Sequence, residues 1–268
     1  MVLPMRRRQA LKLQRSPLIL VLAQVRFAPV LLLKDFIPVI QEELRRQKFS
    51  DYRAEQIQQV MLAGAEVKTE QVNRWVFASR DRREAVIIAP DFLVYETSNY
   101  DVFETFLARL EPVLALLREK ISPDFASQVG LRYVDLIRPA GGKPASDFLC
   151  ASLRGLSPEK LNATSALQQF IIQAQTPHGE LTVRSFESSG EGTLPPDLAS
   201  AHIELSLNFD TNEQCRILDI DHINRGRADF DPSMLSKRLW DLHGPSEDAF
   251  LAATTPEAID FWKDKENV

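Results

Sequence analysis

Apolar and polar positions along the chain switch between two periods. Residues 18–27 alternate loosely and are rich in Leu, Ile and Val, the mark of a buried strand, which Ala28-Pro29 ends. Phe36, Ile37, Ile40 and Leu44 then recur at helical spacing, with Pro38 falling in the first turn after Asp35. Glu42 and Glu43, followed by Arg45, Arg46 and Lys48, form that helix's solvated side. From Ile57 the period shortens, and residues 75–79, 83–89 and 92–97 are runs of Trp, Val, Ile, Phe and Tyr separated by turn-forming residues. They predict an antiparallel meander.

The clearest helix comes next. Asp101 and Glu104 have capping-box spacing, and Phe103, Leu107, Leu110, Leu114, Leu117 and Ile121 keep steps of three and four, with a kink expected at Pro112. Residues 128–138 predict another strand, 147–153 a short helix, and 167–175 with 181–186 a hairpin across Pro177-His178-Gly179. Residues 201–209 alternate most cleanly, Ile203, Leu205, Leu207 and Phe209 facing in, and a further strand is expected at 215–223. Asp231-Pro232 and Thr255-Pro256 each pair an N-cap with proline at the first helical position, opening two terminal helices.

Strands clustered in meanders with few, long helices predict an α+β fold: mostly antiparallel sheet, helices packed on one face and a helical C-terminal tail. Residues 1–16 read as a flexible basic arm, 17–138 as one α+β half and 139–268 as a second, the halves forming two domains or one continuous sheet.

Composition narrows the function classes. The chain has 268 residues, 44% of them apolar, so it can bury a sizeable core. Thirty-two basic against 37 acidic residues leave a net charge of −5, the opposite balance from a dedicated nucleic-acid binder. A nucleic-acid role would require the arm, Arg80-Asp81-Arg82-Arg83 and the charges at 42–48 to share one face with aromatics between them. Cys150 and Cys215 have no Cys-x-x-Cys spacing and read as reduced thiols of a cytoplasmic chain. Arg7-Arg8 weakly resembles a twin-arginine signal, but the apolar run at 18–23 falls short of the roughly 7–15 residues an export segment needs. No run approaches a membrane span.

The run Val129-Gly130-Leu131-Arg132-Tyr133-Val134-Asp135 is unusually specific for a strand. Together with Leu218-Asp219-Ile220-Asp221, Leu242-His243, Phe250 and Thr255-Pro256-Glu257-Ala258, it resembles a sporadically distributed, uncharacterised bacterial family of about this length. That family carries a Gly-Leu-Arg-Tyr-Ile-Asn-type strand, with Asn where this chain has Asp135, and the resemblance spans residues 17–262. It implies a patchily inherited bacterial protein, as accessory and conflict-related genes often are, and brings no activity with it.

Asp219 and Asp221 lie two apart on a predicted strand, so both leave one face, where close carboxylates hold a divalent ion or divide acid and base roles. His222, Asn224, Arg225, Asp229 and Asp231 complete the densest polar cluster. Arg132 and Asp135 interrupt an apolar strand and point to opposite faces. A buried charge needs a partner, and Asp219 or Asp221 would suit Arg132; with Asp135 and Arg225 it is otherwise a candidate to hold an anionic ligand. The four histidines lack zinc-site spacing, and nucleophile-elbow, P-loop and dinucleotide fingerprints are absent, so no metal or cofactor is expected. The leading expectation is a non-enzymatic interaction or accessory factor, immunity-like or defence-associated, whose acidic balance suits a protein partner with a basic surface. The alternative is a metal-assisted hydrolase or nuclease using Asp219, Asp221 and His222, with Arg132 holding the substrate. Nothing in the chain sets an oligomeric state.

Overall fold

A computed structural model describes residues 11–63, 66–156, 158–164, 167–188, 194–195, 198, 202–205 and 213–264. The extended runs form β1 (Leu18–Phe27), β2 (Phe49–Ala63), β3 (Glu66–Ser79), β4 (Glu84–Ala89), β5 (Phe92–Thr97), β6 (Phe125–Ile137), β7 (Gln169–Thr176), β8 (Gly179–Ser188) and β9 (Cys215–Asp229). The helices are α1 (Leu33–Arg46), α2 (Phe103–Ile121), the single turn α3 (Ala151–Arg154), α4 (Pro232–Ala253) and α5 (Pro256–Lys263). All nine strands join one antiparallel sheet in the order β2-β3-β4-β5-β1-β6-β9-β8-β7. The α+β architecture is therefore present, and the two halves of the chain meet in one sheet where β6 runs against β9.

Strand alternation gives the sheet two different faces. On one, Val21, Ala23 and Val25 of β1, with Val129 and Leu131 of β6, pack under Ile40 and Leu44 of α1, Leu110 and Leu114 of α2, and Leu239 and Leu242 of α4. Beyond them, Leu181, Val183, Leu218 and Ile220 pack under Ile259 and Trp262 of α5. On the other face none of α1–α5 packs among the described residues: Val76, Ile87, Val134 and Ile217 are covered by Leu194, Leu198, Ile203 and Leu205.

The proline-marked helix starts form as the sequence predicts. The Asp231 carboxylate accepts from the Ser233 and Met234 N–H groups at 3.0 and 3.1 Å, and Thr255 Oγ1 accepts from the Ala258 N–H at 3.2 Å. Asp101 departs from expectation. The residue before α2 is Val102, with no side-chain cap, and Asp101 pairs instead with Lys12 at 2.7 Å. Residues 11–16 are not free chain, since Leu13 packs beneath α5 and the Arg15 N–H donates to the Trp262 carbonyl at 3.0 Å. The first ten residues of the predicted arm lie outside the described residues.

Two further differences concern strands. β2 and the outer half of β3, which no clean alternation announces, form a long ribbon: β3 meets β4 through Trp75–Ala78, and beyond that, among the described residues, β2 and β3 pair only with each other. The strand predicted at 201–209 is not seen in its described part, 202–205, which is irregular; the rest lies outside the described residues. A polar anchor sets that path, for the His202 N–H donates to Glu96 Oε1 at 2.9 Å rather than to a ladder carbonyl. Among the described residues, no helix is long and apolar enough to cross a membrane. Cys215 is buried, Cys150 half-buried, and neither is in a disulfide.

Candidate functional site

The charged residues picked out on β6 and β9 separate onto both faces of the sheet. On the loop-covered face, Arg132 grips Asp219 with two parallel bonds, Nε to Oδ1 at 2.7 Å and Nη2 to Oδ2 at 2.8 Å. Arg184 of β8 adds a third at 2.8 Å to Oδ2. Both carboxylate oxygens are thus held by guanidinium groups in a buried setting, an arrangement that gives the Asp219 charge its partners within the fold. Asp221, cross-strand from Arg132, lines a neighbouring hollow of about 290 Å³ with Arg74, Glu96 and His202. Glu55 ties that network together: Arg74 Nε lies 2.7 Å and His202 Nε2 3.2 Å from its Oε2. Burial alone would raise the Glu55 carboxyl, but its bonds to Arg74 and His202 bring it below the usual range.

His222 leaves the other face. Its Nδ1 donates to the Leu242 carbonyl at 2.9 Å and its Nε2 meets the Thr176 hydroxyl at 2.9 Å, while burial lowers its pKa and keeps the ring neutral at pH 7. Asp219, Asp221 and His222 therefore do not converge, and among the described residues no three His, Cys, Asp or Glu side chains are placed to share a metal ion. The metal-assisted alternative loses its geometry. Arg225 is a surface residue paired with Glu180 at 3.0 Å, remote in role from Arg132.

Asp135 is the residue the sequence flagged but could not place. It sits on the helix face at the β1 bulge, opposite Leu18, and is 3% exposed. No hydrogen bond or ion pair reaches it among the described residues, and it borders a hollow of about 110 Å³. Burial, reinforced by the negative charge of Asp219 across the sheet, raises its pKa from 3.8 to about 8. The hollow lies between β6, β9, α4 and the segment from Leu11 to Leu18. Tyr133, two residues before Asp135, shares a 2.8 Å hydrogen bond with His243 Nδ1. His243 in turn lies flat on Phe103, ring centroids 4.1 Å apart and 12° from parallel. Burial pushes His243 down to about 4 and raises the Tyr100 and Tyr133 phenols, so all three are neutral at pH 7.

Sequence reasoning missed Tyr100, Tyr133, His243 and Glu247 as lining residues of this hollow. One signal pointed to them. His243 and Phe250 fall four and eleven positions after Leu239, on the buried stripe of α4, so a histidine there had to face the sheet.

The sheet also ends in two open edges, β2 and β7, each paired on one side only among the described residues. Strand β7 (QFIIQAQT) carries no charged side chain, and Ile171 and Ile172 are 57% and 47% exposed. No protein-family model and no curated protein sequence matches this chain.

Proposed function

We propose that this protein acts as a non-enzymatic interaction factor, an accessory protein that docks a protein partner by strand addition. The observation that carries this reading is the uncharged β7 edge with its two exposed isoleucines. Free edge N–H and C=O groups are a template for another strand, and folded proteins ordinarily blunt them with lysine, proline or a covering element. β7 has neither lysine nor proline in its sequence. An added strand bonds through its backbone, and alternate side chains such as Ile171 supply specificity. The net charge of −5 favours a partner with a basic surface and speeds encounter with it.

The test is co-purification from the native host of the wild-type chain and of Ile171→Lys/Ile172→Lys. The wild type is expected to bring down one stoichiometric partner with a basic surface, and the double variant to lose it while unfolding at a similar temperature. A wild-type protein recovered alone, or a partner that the variant holds equally well, overturns the reading.

A further inference from the structure

We propose that the helix-face hollow beside Asp135 is a binding site for an organic cation, a guanidinium or alkylammonium head on a short apolar stem. The argument begins with an unmet need. A buried carboxyl group without a hydrogen-bond partner is costly whether ionised or neutral, and Asp135 is 3% exposed, has no hydrogen bond or ion pair among the described residues and borders this hollow. The rest of the lining selects the sign of the guest. Asp101 and Glu247 add two carboxyl groups to the wall, and among the described residues no Lys or Arg lines it. Lys12, at the rim, is engaged by Asp101 at 2.7 Å. An anion would be repelled by these carboxyl groups, whereas a cation meets the carboxyl oxygens of Asp135.

The walls select its shape. Tyr100 and Tyr133, perpendicular to one another with centroids 6.0 Å apart, present aromatic surface of the kind that attracts cations. Leu13, Leu18, Ile220 and Phe250 offer apolar contact for a stem. A volume of about 110 Å³ accommodates several water-sized groups, enough for one such head.

Binding would also move a proton. Tyr100, Tyr133 and His243, which face the hollow from the α2 approach, β6 and α4, are neutral at pH 7. Glu104 and Asp219 lie in the surroundings, and both are acids. Asp135 is therefore the group that gives up a proton when a cation arrives. With its pKa at about 8, it would release about 0.9 proton per cation bound at pH 7.

The same head group has two sources, a free small molecule or the chain's own Arg6, Arg7 and Arg8, which precede the lining residue Leu11 by only a few positions. The test titrates n-butylguanidinium into the full wild-type chain and into Arg6→Gln/Arg7→Gln/Arg8→Gln, by calorimetry at pH 7 in two buffers of different ionisation enthalpy. The neutral isostere n-butylurea serves as control. The arginine-depleted chain is expected to bind one n-butylguanidinium with release of about 0.9 proton and to ignore n-butylurea. Adding Asp135→Asn, which preserves size and whose folding is checked by circular dichroism, should weaken binding at least tenfold. Equal affinity in the wild type assigns the site to a free cation; wild-type affinity at least tenfold weaker assigns it to the arm. Absence of binding to either chain, equal binding of n-butylurea, or full binding by the Asp135→Asn chain overturns the proposal.

Discussion

Replacing Asp135 by asparagine should stabilise this protein, and by an amount that depends on pH. The side chains have nearly the same size, so packing between β6 and α4 changes little. What changes is the proton. The unfolded chain ionises Asp135 near 3.8, whereas the folded chain holds its proton up to about 8. Folding at pH 7 therefore requires proton uptake at this position, and wild-type stability falls as pH rises between those two values. At about 1.4 kcal/mol per tenfold change, the loss is near zero at pH 4, about 4 kcal/mol at pH 7 and on the order of 5 kcal/mol above pH 8. Asparagine has no proton to take up and escapes the whole effect. The assay is urea unfolding of both proteins from pH 4.5 to 9, with Arg6→Gln/Arg7→Gln/Arg8→Gln in each so that no arginine of the arm reaches the carboxyl group. The stability difference should grow by about 1.4 kcal/mol per pH unit up to pH 7.5 and then level off. A difference flat with pH, or an asparagine protein that weakens as pH rises, would mean that Asp135 is ionised and partnered at neutral pH.

Three other outcomes test separate parts of the fold. Asp219→Asn strips the charge that the buried Arg132 binds twice and should destabilise by about 3–5 kcal/mol in urea, while the double change Arg132→Met/Asp219→Leu should recover most of that loss. Gly179→Ala places a methyl group about 2.1 Å from the Ile223 carbonyl oxygen at a φ of +152°, and the strained β7–β8 turn should lose roughly 1–3 kcal/mol, read as a lower thermal midpoint. Bonds from Ser233 and Met234, with help from Arg118, hold Asp231 down to about 2. Its folded pKa lies below 3.8, so its contribution is present above that value and fades as pH falls toward 2. Asp231→Ala should accordingly lower Tm at pH 7 and lower it much less near pH 2.

The parts of the fold that a single face dictates were legible from the residues. The α2 stripe from Phe103 to Ile121 is buried throughout, and Asp231-Pro232 and Thr255-Pro256 cap the helices they announce, because period and capping act locally. The β2–β3 ribbon escaped because polar residues break up any clean alternation, so only its pairing reveals the register. The strand expected at 201–209 shows the converse in its described part, 202–205: alternation was present, but bonds from His202 to Glu96 and Glu55 outweighed the ladder. For the candidate site, parity alone would have excluded His222 from any cluster with Asp219 and Asp221, since odd and even positions leave opposite faces. The contact of Tyr133 with His243 spans 110 positions and could only come from the folded chain.

Arg132 and Asp135 share one strand, are both buried, and meet opposite fates, and this contrast ties the architecture to the two functional readings. Arg132 faces the loop-covered side of the sheet, onto which β9 also projects Asp219, so its guanidinium is paired. Asp135 faces the helices, where the polar residues that line the hollow are neutral rings, two serines and other acids. Had natural selection acted on stability alone, the first solution was available to the second position, since a lysine or arginine on α4 in place of Ser246 or Glu247 would reach the same hollow. An acid left in that setting weakens the fold at neutral pH, and such a weakness persists where it does something else. Interaction through β7 needs nothing from Asp135, so the hollow and the edge are separable: a chain that loses one by substitution should keep the other.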